Sequence, residues 1–99
     1  MYSHPQHGAG NEAQKLRREA GAWLRSLREE KGLSQREMAR QIGVDYYTFI
    51  SQIESGRGRI PPDRYEVWAS ALGVDVRTFV KTLMRYYDPV THRLLFPPE

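Results

Sequence analysis

Residues 46–52 bring together side chains that can meet the edge of a nucleic-acid base. Gln52 carries an amide that donates and accepts side by side, the pattern that pairs bidentately with adenine. Thr48 offers a hydroxyl or a methyl, and Ser51 a hydroxyl. Tyr46 and Tyr47 add two adjacent rings, able to touch a thymine methyl with carbon or a phosphate with the hydroxyl. Two neighbouring aromatics at a helix start suit a plain solvated surface poorly, although either can instead pack into the adjoining turn, Tyr46 more readily than Tyr47. Asp45 has the wrong sign for a phosphate neighbour. It suits capping the helix that follows, with acceptance from cytosine N4 as a lesser use.

To act together these groups must stand on one face of one helix, and the flanking residues predict such a helix. Ser34 is a residue that caps helix starts, and Glu37 stands three places on, the spacing of a capping box. Met38, Ala39 and Ile42 share one face, and Gly43 ends the helix where a left-handed backbone is needed. Val44 is suited to plugging the space between two helices. A second helix follows with Phe49, Ile50 and Ile53 on its inner side and Gly56 as its stop. Two short helices joined by a tight turn form a unit whose second helix can offer its outer face to the major groove of a duplex.

Cations flank this unit. Ser34 and Gln35 lie at a helix start, where free N–H groups and the positive dipole end favour an anion. Arg57 and Arg59 follow the second helix in a glycine-bearing loop and are the main candidates for phosphate contact. Arg36 and Arg40, with Arg64, are secondary candidates, because an exposed arginine is commonly only solvated. The formal net charge is +3, and lysine occurs only at 15, 31 and 81, so 12 of the 15 basic residues are arginine. Arginine suits planar, bidentate contact with phosphate or guanine, but its abundance also accompanies GC-rich genomes.

The run LSQREMA…IGV…ISQIESGRG, in that order and spacing, resembles the Xre/Cro-type helix-turn-helix of phage and bacterial transcriptional regulators. The resemblance extends from about Trp23 to Phe79 and includes ALGV at 71–74. It implies an all-α, lambda-repressor-like DNA-binding domain. It also implies that Gln35 touches the DNA backbone and braces a base-reading side chain. Arg28 would pair with Glu54 of the IE-x-G run, a structural salt bridge joining the first helix to the recognition helix. There is one departure. Between Gly43 and ISQIE the chain carries one residue more than the usual pattern, which leaves the start of the recognition helix open by one position.

The remaining chain predicts the scaffold. Residues 1–10 are polar, lack periodicity and read as a disordered tail; His4 and His7 have a spacing that a metal could use but no third ligand nearby. The helix-turn-helix domain is placed at 11–88. Its first helix spans roughly 12–31, capped by Asn11, with Leu16, Ala20, Trp23, Leu24 and Leu27 as its buried stripe. A fourth helix at about 62–72 buries Tyr65, Trp68, Ala69 and Leu72. A fifth at about 76–87, capped by Asp75, buries Val76, Phe79, Val80, Leu83 and Tyr87, and Asp88-Pro89 stops it. Five helices in one compact bundle is the economical architecture. The tail 89–99 is too short for an element of its own, yet Leu94, Leu95 and Phe96 must either dock on this domain or meet a partner chain.

A chain of 99 residues suits one small domain. It contains no cysteine, which excludes disulfides, thiolate metal sites and cysteine nucleophiles. No apolar run predicts a membrane span or a signal peptide, so a cytoplasmic, nucleoid-associated protein is expected. The histidines lie only at 4, 7 and 92, in the tails, and no nucleophile is paired with a base, so neither an enzyme nor a cofactor is expected. RNA binding lacks a strand platform for the tyrosines. The expected function is a sequence-specific transcriptional regulator, a repressor, that binds double-stranded DNA at an inverted repeat as a homodimer. Its dimer surface would be the outer face of helix five with the Leu94–Phe96 tail. The alternative is an antitoxin or adaptor module that holds a protein partner through helix five, Tyr86, Tyr87 and the same tail.

Overall fold

The apolar stripes converge on one core. Leu24, Met38, Ile50, Ile53, Ile60, Trp68, Phe79 and Leu83 are its largest fully enclosed side chains. The computed structural model describes residues 4–98, with side chains from residue 11 onward. Its helices are α1 (His4–Lys31), α2 (Gln35–Ile42), α3 (Thr48–Glu54), α4 (Tyr65–Leu72), α5 (Val76–Tyr87) and α6 (Pro89–Leu95), with a 3-10 turn at Pro62–Arg64 before α4. Among the described residues there is no strand, and the fold is an all-α helix-turn-helix bundle.

Two ends differ from the sequence expectation. The helix α1 begins at His4, so residues 4–10, expected as a tail, extend it and Asn11 is not its cap. Adding turns to an existing helix escapes the cost of nucleation, and a proline such as Pro5 is tolerated in a first turn. Met1–Ser3 and the side chains of His4 and His7 lie outside the described residues. At the other end, Asp88-Pro89 stops α5 and also starts α6. The Asp88 carboxylate accepts from Thr91 N at 3.3 Å, and Pro89 occupies the first helical position, where no N–H is needed. Among the described residues the bundle therefore has six α-helices where five were expected.

The long α1 is the spine. Trp23 stacks on Phe79 of α5 at 5.6 Å between ring centroids, and Tyr86 approaches the same indole at 6.1 Å. Burial of each large apolar side chain contributes about 1.5–3 kcal/mol, so the core, not its few polar contacts, supplies most of the stability. Val76, expected inside, is 36% exposed at the first turn of α5. No helix among the described residues is long and apolar enough to cross a membrane.

The crossing of α1 and α3 is unusually close. A Cβ placed on Gly21 would overlap the Glu54 carbonyl and stand 2.8 Å from the Ile53 carbonyl oxygen. Only a residue without a side chain lets α3 lie this near the spine.

Candidate nucleic-acid interface

The start of α2 is built by reciprocal capping. Ser34 Oγ accepts from the Glu37 backbone N–H at 3.0 Å, and the Ser34 N–H donates to Glu37 Oε1 at 2.8 Å. Donation toward the carboxylate from the Ser34 N–H, and second from the Ser34 hydroxyl, holds the Glu37 carboxyl below its ordinary range. The second residue in this turn, Gln35, is half-buried and points across to α3. Its Nε2 donates to Glu54 Oε1 at 3.0 Å.

Glu54 is the junction of three elements. Arg28 of α1 donates to it twice, Nε to Oε2 at 2.6 Å and Nη2 to Oε1 at 3.0 Å, while Arg28 Nη1 donates to the Leu33 carbonyl at 2.7 Å. The two side chains are only 10% and 5% exposed, which makes this a buried, bidentate pair. The hydrogen bond to Glu54 raises the pKa of Arg28, with burial acting the other way. A buried pair of this kind adds little net stability over an apolar substitute. What it does is fix α3 in rotation against α1 and α2, with Gln35 held in the same network.

The turn before α3 absorbs the extra residue. It spans 43–47, and the helix begins at Thr48, with Tyr47 at the cap position and no side chain capping it. Asp45 therefore falls two residues ahead of the cap, and the capping role expected for it is not found. Instead it lines a shallow depression with Arg36, Arg40, Val44 and Tyr47. Beside it Arg36 lies over the Tyr47 ring, with Cζ 4.7 Å from the centroid.

The outward face of α3 follows from its inner one. Ile50 and Ile53 are 0% and 2% exposed, whereas Tyr46 and Tyr47, which fall in the turn just ahead of the helix and not on it, are 75% and 40% exposed. Thr48 and Gln52 are also exposed, and Ser51 is half-buried. Arg36 and Arg40 are exposed beside Tyr47, Arg57 and Arg59 are exposed in the loop that follows α3, Ser34 is exposed at the start of α2, and Arg64 is not part of the set. Arg64 is half-buried, and its Nη2 donates to the Ile42 carbonyl at 2.7 Å, closing the C-terminal end of α2.

Two contributors were not singled out for this purpose by the sequence. Gly21 sets the depth of α3; its sequence hint is the small-residue run Ala20-Gly21-Ala22, one of two such runs in α1. Tyr87, expected only as a core or partner-facing aromatic, reaches the loop after α3. Its Oη accepts from the Ile60 N–H at 3.2 Å, and its ring lies under Arg59. A contact between residues this distant in sequence has no local signature.

Comparison with known proteins gives a matching context. A family model described as a helix-turn-helix domain matches residues 19–80, more than half of the chain. A protein of Neisseria meningitidis serogroup B (strain ATCC BAA-335 / MC58), named Neisseria hypothetical transcription factor, is 36% identical over 76 residues. The match covers 77% of this chain and 57% of that protein, so the chain spans little more than half the length of this relative. With α2, the 43–47 turn and α3 all inside the matched segment, the chain belongs to the helix-turn-helix family.

Proposed function

We propose that this chain is a sequence-specific DNA-binding transcriptional regulator that reads the major groove with the exposed face of α3. The observation that carries this reading is an exposed polar and aromatic stretch (Tyr46, Tyr47, Thr48, Gln52) with the exposed Arg36 and Arg40 beside Tyr47 and the exposed Arg57 and Arg59 in the loop that follows α3. In this arrangement Gln52 and Thr48 contact base edges, with Ser51 at the margin. Ser34, Arg36, Arg40, Arg57 and Arg59 face phosphates, while Gln35, expected among them, is turned to Glu54 and leaves only its backbone at the helix start for that contact. Family membership and the transcription-factor relative support a DNA-binding regulator. Binding requires no catalytic group, and none is part of the proposal.

We further infer repression, which needs only occupancy of a promoter, by a homodimer on an inverted repeat. One small module buries limited surface on DNA, so tight binding calls for two copies, with half-site centres about 34 Å apart. The exposed Val90, Leu94, Leu95 and Phe96 of the α6 region supply an apolar surface for the second copy. The same surface favours a second reading, an antitoxin or adaptor that binds a protein partner there; Leu94 and Leu95 are 71% and 61% exposed. A nucleoid-associated, cytoplasmic location goes with the first reading.

The test is a mobility-shift titration of the full chain on DNA from upstream of its own gene, alongside a pull-down from native cells. A sequence-dependent shift supports the regulator. Stoichiometric capture of a protein with no shift on any DNA supports the adaptor instead.

A further inference from the structure

The loop after α3 carries two cations and is fastened at both ends. At its start Gly56 has φ +85° and lies against α1, where an added Cβ would stand 2.9 Å from the Arg18 backbone nitrogen. At its end Ile60 is fully buried, and its N–H finds its acceptor in Tyr87 Oη at 3.2 Å. Arg57 and Arg59 lie between these points, and both are exposed.

The same tyrosine also meets one of the cations. Arg59 Cζ stands 4.4 Å above the Tyr87 ring centroid, while the ring itself is half-buried at the last turn of α5. A guanidinium held over a ring is attracted by the ring face, and those of its five N–H donors that do not meet the ring stay available for an anion. Tyr87 thus supplies the loop backbone with an acceptor and the Arg59 side chain with a platform, and both act before any ligand arrives.

We propose that Tyr87 is a positioning residue for duplex binding: it holds Arg59 in the orientation in which that side chain meets a DNA phosphate. The proposal rests on the reading of this protein as a DNA-binding one. Without the platform Arg59 spreads over other rotamers, and the entropic cost of recovering this one leaves the phosphate contact unmade.

The experiment measures affinity against salt concentration on a short duplex of arbitrary sequence, since phosphate contacts do not depend on operator identity. The proteins are the full chain, Arg59→Ala, Tyr87→Leu, Tyr87→Phe and the Arg59→Ala/Tyr87→Leu double variant. Each phosphate contact contributes about 0.9 to the slope of log K on log salt. Arg59→Ala and Tyr87→Leu are expected to be shallower than the full chain by about 0.9, and the double variant no shallower than either. Tyr87→Phe, which keeps the ring, retains the full slope. An unaltered slope for Tyr87→Leu beside a shallower one for Arg59→Ala overturns the proposal and leaves DNA binding intact. An unaltered slope for Arg59→Ala removes the phosphate role of Arg59 and the proposal with it. Absence of salt-dependent binding by the full chain overturns the DNA reading itself. Should Tyr87→Leu fail to fold, the order parameter of the Arg59 Nε–H in the free full chain decides: a restricted side chain supports the platform, and one as mobile as a free exposed arginine overturns it.

Discussion

Arg36 lies over the Tyr47 ring, its guanidinium carbon 4.7 Å from the ring centroid, and this contact ties the first turn of α2 to the residue just before α3. One face of Tyr47 is thereby covered, while Tyr46 remains 75% exposed and free to reach outward. The two tyrosines are predicted to behave differently. Tyr46→Ala should reduce discrimination between a preferred site and an arbitrary duplex with little change in stability. Arg36→Ala should weaken binding to both alike and lower stability by about 0.5–1 kcal/mol, the worth of an exposed cation–π contact. Paired affinity measurements on the two duplexes, with denaturant titrations, check this.

The buried Arg28–Glu54 pair gives the largest expected stability effect. Removing one partner strands the other charge between α1 and α3. Glu54→Ala and Arg28→Ala should each cost about 3–5 kcal/mol. Urea denaturation of the two variants measures it. Losses under about 1 kcal/mol are what exposed pairs show, and would contradict the burial described.

Gly21→Ala separates helix propensity from packing by sign. In a helix interior alanine is better than glycine by about 1 kcal/mol. At Gly21 the new methyl meets the backbone carbonyls of Ile53 and Glu54, which cannot rotate away. Overpacking of this kind costs about 1–3 kcal/mol, so the expected net change is destabilising. A rise in melting temperature would show that α3 does not approach α1 as closely as described.

Acid should expose the capping carboxylates. Bonds from Ser34 hold the Glu37 carboxyl below its ordinary value, and bonds from the Thr78 N–H and hydroxyl do the same for Asp75. A carboxylate with a depressed folded-state pKa stabilises above its unfolded pKa, about 4, and loses that contribution as pH falls through the folded value. Denaturation midpoints should therefore hold between pH 7 and about pH 5 and drop below about pH 4. Asp75→Asn, which keeps a capping oxygen without the charge, should flatten part of that drop.

Much of the architecture can be read from the chain because its signals are local. The Ser34–Glu37 spacing marks the start of α2, Gly43 its end, and the Ile50–Ile53 stripe the inward side of α3. The features that escape such reading depend on distance or on competition between signals. Asp45 looks like a cap, yet the helix starts at Thr48 and puts Tyr47 at the cap position. Asp88-Pro89 reads as a stop, but the same two residues are also good initiators. Arg64 resembles its exposed neighbours until the Ile42 carbonyl, far off in sequence, takes its proton donor. Gly21 and Tyr87 act on partners that only the folded chain brings near.

The most direct measurement is recovery of preferred sites from a random duplex pool with the full chain and with Gln52→Ala. An inverted-repeat motif is expected from the full chain. Loss of preference at one position in each half-site, about 1–3 kcal/mol of discrimination, is expected from Gln52→Ala. A motif that Gln52→Ala leaves intact, or no enrichment at all, would contradict base reading by the outer face of α3.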